Sequence, residues 1–238
     1  MKISVCMATY NGEKYIKEQL DSILYQLSEQ DEVIISDDSS SDKTVEIVKF
    51  FNDSRIKIFE NQKFKSPIFN FENALKYATG DIIVLTDQDD LWGNNKIEVI
   101  RNSFVDLADD TVLVMFNGVC INDKGEIIYN SLFDYIGIHE GLIANIMKNS
   151  FIGCNIAFNK KLLDFALPFP ADIPMHDMWL GSCAYIFGNV RFIDEKIFMY
   201  RLHDSNYTGG KTTLSQKILW RLNIIKNIVI RYIRVAIK

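Results

Sequence analysis

Three acids stand within four residues at Asp87-Gln88-Asp89-Asp90, directly after the apolar run that ends at Thr86. Carboxylates this close repel one another unless they are solvated or share a cation. An oxygen-rich cluster of this kind suits Mg2+ or Mn2+, which often bridge to substrate phosphates. The same residues would also serve as an acidic turn capping the next helix. A second stretch, Asp37-Asp38-Ser39-Ser40-Ser41-Asp42, offers acceptors that could read a base or ribose, with Asp42 suited to capping the helix after it. A third, Thr9-Tyr10-Asn11-Gly12, carries a ring able to stack on a nucleobase and an asparagine tolerant of tight-turn backbone.

The elements around these stretches fix where they lie. Ile3 to Ala8, Glu32 to Ser36, Arg55 to Phe59 and Asp81 to Thr86 read as buried strands. Helical patterns alternate with them over Glu13 to Leu27, from Asp42 to Phe51, over Phe69 to Ala78 and over Asn95 to Leu107. This alternation predicts an α/β chain with a parallel sheet and right-handed crossovers. In open α/β sheets ligands bind beyond the carboxyl ends of the strands, which is where all three stretches fall. The second half reads as a long strand from Thr111 to Ile121, a turn into Glu126–Tyr129, and a strand from Phe151 to Phe158. A short helix from Lys160, a helix over Asp177 to Phe187, and short strands at Val190–Ile193 and Lys196–Tyr200 complete it.

The 238 residues suit one large domain, or one domain with an appendage. A chain of this length buries roughly 70% of its unfolded surface, so it needs no disulfide or structural metal to fold. The scattered cysteines 6, 120, 154 and 183 read as reduced thiols, and the three histidines lack zinc-site spacing. The formal charge of −5 is an average of unlike parts. Residues 1–204 hold 19 Lys and Arg against all 31 acids, while residues 205–238 hold seven basic residues and no acid. An acidic body speaks against nucleic acid as a partner. The N-terminus reads as lacking a signal peptide, and no uncharged apolar run reaches the roughly 18 residues of a spanning helix.

The run from Val5 through Thr9-Tyr10-Asn11-Gly12-Glu13, the Asp37-Asp38 stretch and Asp87-Gln88-Asp89-Asp90-Leu91-Trp92 occur in an order and spacing that resembles the family 2 glycosyltransferases. The acidic stretch is most similar to the bacterial rhamnosyltransferase-type branch. The resemblance covers about residues 1–205 and implies a GT-A fold: a Rossmann-like, mostly parallel central sheet flanked by helices. It implies a nucleotide-sugar donor, either dTDP-rhamnose or a UDP-sugar, and Mn2+ or Mg2+ as cofactor. Thr9, Tyr10, Asn11 and Glu13 match the first nucleotide-contacting loop. Asp38 matches the acid that reads the pyrimidine, with Asp37 beside it. Asp87 matches the acid near the ribose and Asp89 the metal ligand, with Gln88 between them in the donor site; Asp90 is an extra acid that would orient its neighbours or face the donor sugar.

In the second half, His176-Asp177-Met178-Trp179 places Asp177 where the family carries its general base. A buried carboxylate near other acids has a raised pKa, which suits that role; helix capping is the plainer use. Trp179 suits either the acceptor site or the core. Tyr200-Arg201-Leu202-His203, with Asn206 beyond, resembles a family segment whose histidine approaches the cation or the diphosphate. Arg201 there would offer a bidentate fork to phosphate. His139 reads as a surface residue. Gly209-Gly210-Lys211 reads as a loop over the donor or a hinge.

The tail repeats apolar residues at Leu214, Ile218, Leu222, Ile225, Val229, Tyr232 and Ala236, which predicts a helix. Lys217, Arg221, Arg231, Arg234 and Lys238 fall on about 140° of arc, with Lys226 on the apolar side. That pattern suits an interfacial helix on anionic lipid, or a helix docked on the acidic body. The expected organisation is a transferase unit over 1–210, with a donor half over 1–110 and an acceptor half over 111–210, and a basic amphipathic tail over 211–238. The expected activity is inverting, metal-dependent sugar transfer to a hydroxyl of a cell-surface polysaccharide. Its acceptor would be a saccharide or a lipid-linked oligosaccharide at the cytoplasmic face of the plasma membrane. A sugar-1-phosphate nucleotidyltransferase and a nucleotide-sugar-binding scaffold without turnover are the alternatives.

Overall fold

The computed structural model describes residues 1–105, 107, 110–203 and 212–237. Asn206 and the Gly209-Gly210-Lys211 segment lie outside the described residues, as does the expected boundary at 210/211. Strands β1 (Ile3–Thr9), β2 (Glu32–Asp37), β3 (Ile56–Phe59) and β4 (Ile82–Thr86) lie in the order β3-β2-β1-β4, all parallel. Every residue of β2 and β4 is buried, as continuous apolar strands covered on both faces require. The helices between them are α1 (Ile16–Leu24), α2 (Thr44–Phe50) and α3 (Pro67–Lys76). After β4 comes a two-residue strand, β5 (Leu91–Trp92), and then α4 (Lys96–Ser103).

The second half continues the same sheet through β6 (Val112–Ile121), β7 (Ile127–Tyr129), β8 (Ile156–Asn159) and β9 (Asn189–Arg201). β8 runs antiparallel between β4 and β6, so the sheet is mixed beyond β4. β9 runs parallel to β6 and carries β5 antiparallel on its far edge. The two short strands expected at 190–200 are one strand. The charged residues Asp194, Glu195 and Lys196, which imitate a turn in the sequence, form a solvent-facing irregularity where the register against β6 shifts. The expected strand from Phe151 begins only at Ile156; Gly153–Asn155 is a 3-10 turn whose Asn155 amide donates to the Phe116 carbonyl. Helices α5 (Leu132–Ile136) and α6 (Leu142–Met147) are too short to show a period, whereas α7 (Lys161–Ala166) and α8 (His176–Phe187) follow the expected pattern. All four cysteines are buried and free.

The tail forms α9 (Leu214–Ala236), opened by a capping box between Thr213 and Gln216. It is docked on the body by part of its basic side, the second of the two arrangements expected for it. Ile224, Asn227 and Arg231 are the buried residues, and they face the body. The Arg231 guanidinium donates to the carbonyls of Phe165, Leu167 and Pro168, at 2.6, 2.7 and 2.5 Å, where α7 ends. Arg221 caps the Met147 carbonyl at the end of α6, and Lys226 pairs with Asp172. The reason is local: helix ends leave carbonyls without partners, and arginine reaches them. The apolar stripe is consequently turned outward, with Leu214, Leu222 and Tyr232 exposed by 71%, 59% and 57%. Among the described residues, no helix is long and apolar enough to cross a membrane.

Candidate active site

The acidic turn joins β4 to β5 and is closed on itself. The Trp92 indole N–H donates to Thr86 Oγ1 across the turn, and the buried Gln19 amide donates to Thr86 Oγ1 and to the Asp87 carbonyl. A cavity of about 970 Å3 opens over this turn. Its walls come from both halves of the chain. Thr9, Tyr10, Asp38, Asp87, Gln88 and Asp89 line it from the first half, with Asp177 and its neighbours from the second.

The first wall is built by hydrogen bonds between loops. Gln88 clamps the Tyr10 backbone, accepting from its N–H and donating to its carbonyl, both at 2.9 Å. The Tyr10 ring stays 59% exposed, free to stack. Gly12 leaves room beneath that clamp: a Cβ there would stand 2.3 Å from Gln88 Oε1, and Gln88 would have to shift. Asp38 accepts from the N–H groups of Phe64 and Ser66, at 2.7 and 3.1 Å, which holds the loop after β3 along the cavity edge. Asn11, Ser39, Asn61 and Lys65 all have positive φ. Such left-handed backbone at non-glycine residues clusters at functional loops.

Three of the expected nucleotide contacts lie off the cavity. Asp37 is 1% exposed and accepts from Thr9 Oγ1, the Ser40 N–H and the Ser40 hydroxyl; it ties two loops together. Asn11 accepts from the Ser41 N–H at 2.8 Å, and Glu13 from the Lys43 N–H at 2.9 Å, so both join the same two loops. A strand-end position locates a loop, but not which side chains turn to the ligand and which hold the loop.

Arg201 also differs from expectation. It is 2% exposed, and its guanidinium meets the Asp89 carbonyl at 2.8 Å, the Asn122 and Asp123 carbonyls, and the Glu18 carboxylate at 3.0 Å. Its own N–H donates to Asp90 Oδ1 at 2.9 Å. Arg201 and Asp90 therefore brace the turn from behind, and neither lines the cavity; of the two uses expected of Asp90, orienting its neighbours is the one this geometry serves. Two residues on, His203 Nε2 stands 2.9 Å from Asp89 Oδ2.

These positions bear on where a divalent cation would fit. Asp89 lines the cavity and, with the His203 nitrogen, offers a mixed oxygen and nitrogen set compatible with Mn2+ or Mg2+. The one cluster of three donor groups found among the described residues is different: Asp87, Asp90 and Cys154, with donor atoms within 4.8 Å. Asp90 and Cys154 are buried behind the cavity wall. Burial, then the charges of Asp90 and Asp87, push the Cys154 thiol up, and a thiol is a soft donor that does not suit Mn2+ or Mg2+. Of the two sets, the Asp89–His203 pair is the one that reaches the cavity, through Asp89, and it is the pair that would hold such a cation.

Asp177 sits in the first turn of α8 and is 5% exposed. Its Oδ1 accepts from the Met178 N–H at 2.6 Å and from the Asn149 amide at 2.9 Å. Burial outweighs these hydrogen bonds and pushes the carboxyl up to about 6. Burial, then the neighbouring Asp89 charge, pushes Asp87 up to about 7. His176 is 4% exposed, stacks on Phe71, and burial brings it down to about 3, so its ring is neutral. Trp179 is fully buried with its indole donating to the Ala166 carbonyl; it belongs to the core. His139 is exposed, as read from the sequence.

Sequence reasoning missed Lys63, Lys65, Asn70, Asn149 and Tyr135 on the cavity wall. The two lysines follow β3, and the strand-end rule applied there would have found them. Asn149 and Tyr135 come from the short helical segments after β7, which carry no readable pattern.

The model of the family described as Glycosyl transferase family 2 matches residues 4–186. The chain belongs to glycosyl transferase family 2. Among its family 2 relatives is WfgD of Escherichia coli, a UDP-Glc:alpha-D-GlcNAc-diphosphoundecaprenol beta-1,3-glucosyltransferase. The two are 31% identical over 88% of this chain and 80% of WfgD. The dTDP-rhamnosyl transferase RfbG of Shigella flexneri is 30% identical over 93% of this chain and 79% of RfbG. The crystal structure of S. aureus TarS 1-349 in complex with UDP-GlcNAc superposes with a TM-score of 0.74. It has 21% identity, covering 97% of this chain and 66% of that one. The family 2 chain thus has the GT-A fold expected from its motifs.

Proposed function

We propose that the chain moves a sugar from a nucleoside diphosphate to a hydroxyl of a saccharide or lipid-linked saccharide, with inversion at the anomeric carbon and a requirement for Mn2+ or Mg2+. One observation carries this reading: Asp177 shares a single cavity with the acidic turn and the Tyr10 and Asp38 loops. Asp177 takes the proton of the acceptor hydroxyl as that oxygen attacks the anomeric carbon. The bond from that carbon to the diphosphate oxygen breaks in the same displacement, so the configuration inverts. A carboxyl near 6 is a stronger base than an ordinary one and is still mostly ionised at neutral pH. Asn149 and the Met178 N–H hold it in place. A divalent cation held by Asp89 and His203 would offset the charge gathering on the departing diphosphate.

Thr9, Tyr10 and Asp38 are the nucleotide side of this cavity, with Asp87 and Gln88 towards the ribose and sugar. RfbG is named for a dTDP-sugar and WfgD for UDP-glucose, so both donor classes stay in the proposal. The acceptor named for WfgD is alpha-D-GlcNAc-diphosphoundecaprenol, a sugar carried on a lipid diphosphate. The outward apolar face of α9 suits work at such a surface, and we place the chain peripherally on an anionic, cytoplasm-facing membrane, with residues 1–210 as its transferase unit. The test is the stereochemistry of the product. Proton NMR of product made from an α-linked UDP-sugar is expected to show a β anomeric proton; an α product would reject single displacement.

A further inference from the structure

Tyr15 has a place that neither the core nor the proposed mechanism explains. It stands at the N-terminal end of α1, where its side chain makes no capping bond. It is half-buried, and its ring belongs to neither of the two hydrophobic clusters of the core. Its neighbours are polar and charged instead. The His203 ring stacks on it, with centroids 5.2 Å apart and planes 26° from parallel. The Arg201 guanidinium carbon lies 4.8 Å from its centre and the Lys14 ammonium 4.6 Å. Its hydroxyl donates to Asp123 Oδ1, in the turn between β6 and β7.

These contacts bear on the acidic turn. His203 Nε2 meets Asp89 Oδ2 at 2.9 Å, but a bond at one nitrogen leaves the plane of an imidazole ring undetermined. A stacked neighbour sets that plane, because aromatic rings at this separation prefer an offset stack. Tyr15 is itself held from two sides. Its hydroxyl is tied to Asp123, whose carbonyl accepts from Arg201 Nη1 at 3.3 Å, and Arg201 Nη2 pairs with Glu18 of α1 at 3.0 Å. The start of α1, the β6–β7 turn and the end of β9 thus close a bracket around one aromatic ring. A cation taken by both Asp89 and His203 would replace the bond between them, and the stack would keep the imidazole nitrogen turned to the site.

We propose that Tyr15 is a positioning residue: its ring sets the plane of His203 and so preorganises the Asp89–His203 pair for a divalent cation. The ring is the active part, and the Asp123 bond steadies it. Groups that orient a metal ligand tune affinity without being ligands themselves, and losing one weakens the site rather than removing it. Tyr15 acts through His203, so with His203 gone the Tyr15 ring has nothing left to orient.

This inference rests on the reading of Asp89 and His203 as the cation's ligands, and the experiment separates the two. Mn2+ is added to the full chain with UDP present, and pulsed electron paramagnetic resonance follows the coupling of bound Mn2+ to an imidazole nitrogen. No such coupling in the wild type, or its persistence in His203→Ala, would reject the ligand reading and the proposal with it. Given a coupling that depends on His203, affinity is measured as Mn2+-dependent UDP binding by calorimetry. Tyr15→Ala is expected to weaken it about fivefold, the scale of one aromatic stack, with metal-free UDP binding unchanged. Tyr15→Phe keeps the ring and is expected to stay within about twofold of wild type. In a His203→Ala background, Tyr15→Ala is expected to add no further loss. Should Tyr15→Ala fold poorly, Tyr15→Leu fills the space without an aromatic face and carries the comparison. Wild-type affinity in Tyr15→Ala would overturn the proposal while leaving the ligand reading in place. So would losses that multiply in the double variant, or a Tyr15→Phe as weak as Tyr15→Ala.

Discussion

His203 Nε2 lies 2.9 Å from Asp89 Oδ2, although 114 residues separate them. The contact exists because β5 pairs with β9, which brings the chain after Arg201 back over the acidic turn. His203→Ala removes the nitrogen and leaves the Arg201 brace intact. It is expected to weaken Mn2+-dependent UDP binding about tenfold, the usual scale for losing one supporting group at a metal site. Calorimetry with and without Mn2+ measures it, and metal-free UDP binding should not change.

The Asp177 carboxyl is pushed up to about 6 by burial, from an ordinary value of 3.8. The base must be ionised, so kcat is expected to rise with pH through about pH 6 and level off above it. The stability effect runs the other way. The folded state holds this proton more tightly than the unfolded chain, so the fold loses stability as pH rises from about 4 to about 6. Asp177→Asn is therefore expected to melt higher than wild type at pH 7, by about 3 kcal/mol at most, with the gain vanishing near pH 4. Thermal melts of both proteins at the two pH values check the sign.

Gly12 lies under the Gln88 clamp, and a Cβ there would reach within 2.3 Å of Gln88 Oε1. Gln88 is pinned by two hydrogen bonds to Tyr10 and cannot yield without releasing that residue. Gly12→Ala is expected to raise the KM for donor about fivefold to tenfold, a loss of roughly 1 kcal/mol in keeping with one or two net hydrogen bonds. Steady-state kinetics should show kcat within about twofold of wild type. Adding Gln88→Ala should remove the clash without restoring the clamp.

The legible parts of the site were those that a local rule reaches. Buried strands and the punctuation after them locate the turns at Thr9, Asp37 and Asp87. The facing of side chains within those turns depends on partners far along the chain. Asp37 looks like a ligand residue in the sequence, but Thr9 and Ser40 claim it. Arg201 looks like a phosphate fork, but three carbonyls and Glu18 surround it. The tail shows the same limit. Its helix and apolar stripe are periodic and readable, yet the carbonyls ending α7, which no periodicity reveals, turn Arg231 inward and the stripe outward.

The two faces of α9 therefore have separable roles. Arg231→Ala leaves three carbonyls without their donor and is expected to cost about 2–4 kcal/mol, seen as a lower Tm. Leu222→Asp with Ile225→Asp touches only the outward face, where the two residues are 59% and 44% exposed. This variant is expected to keep its Tm within about 2 °C and its turnover on a water-soluble acceptor. Its sedimentation with phosphatidylglycerol vesicles should fall at least fivefold. Unchanged sedimentation would remove α9 from the membrane contact.

The account turns on Asp177 as the group that takes the acceptor's proton. Single-turnover transfer from a saturating UDP- or dTDP-sugar, with Mn2+, tests it most directly in Asp177→Asn. The variant keeps both hydrogen bonds from Met178 and Asn149, so donor affinity is expected to stay within about threefold of wild type. The transfer rate is expected to fall by about 1,000-fold, in the range ascribed to general base catalysis. Transfer within tenfold of the wild-type rate, with donor bound normally, would contradict the account.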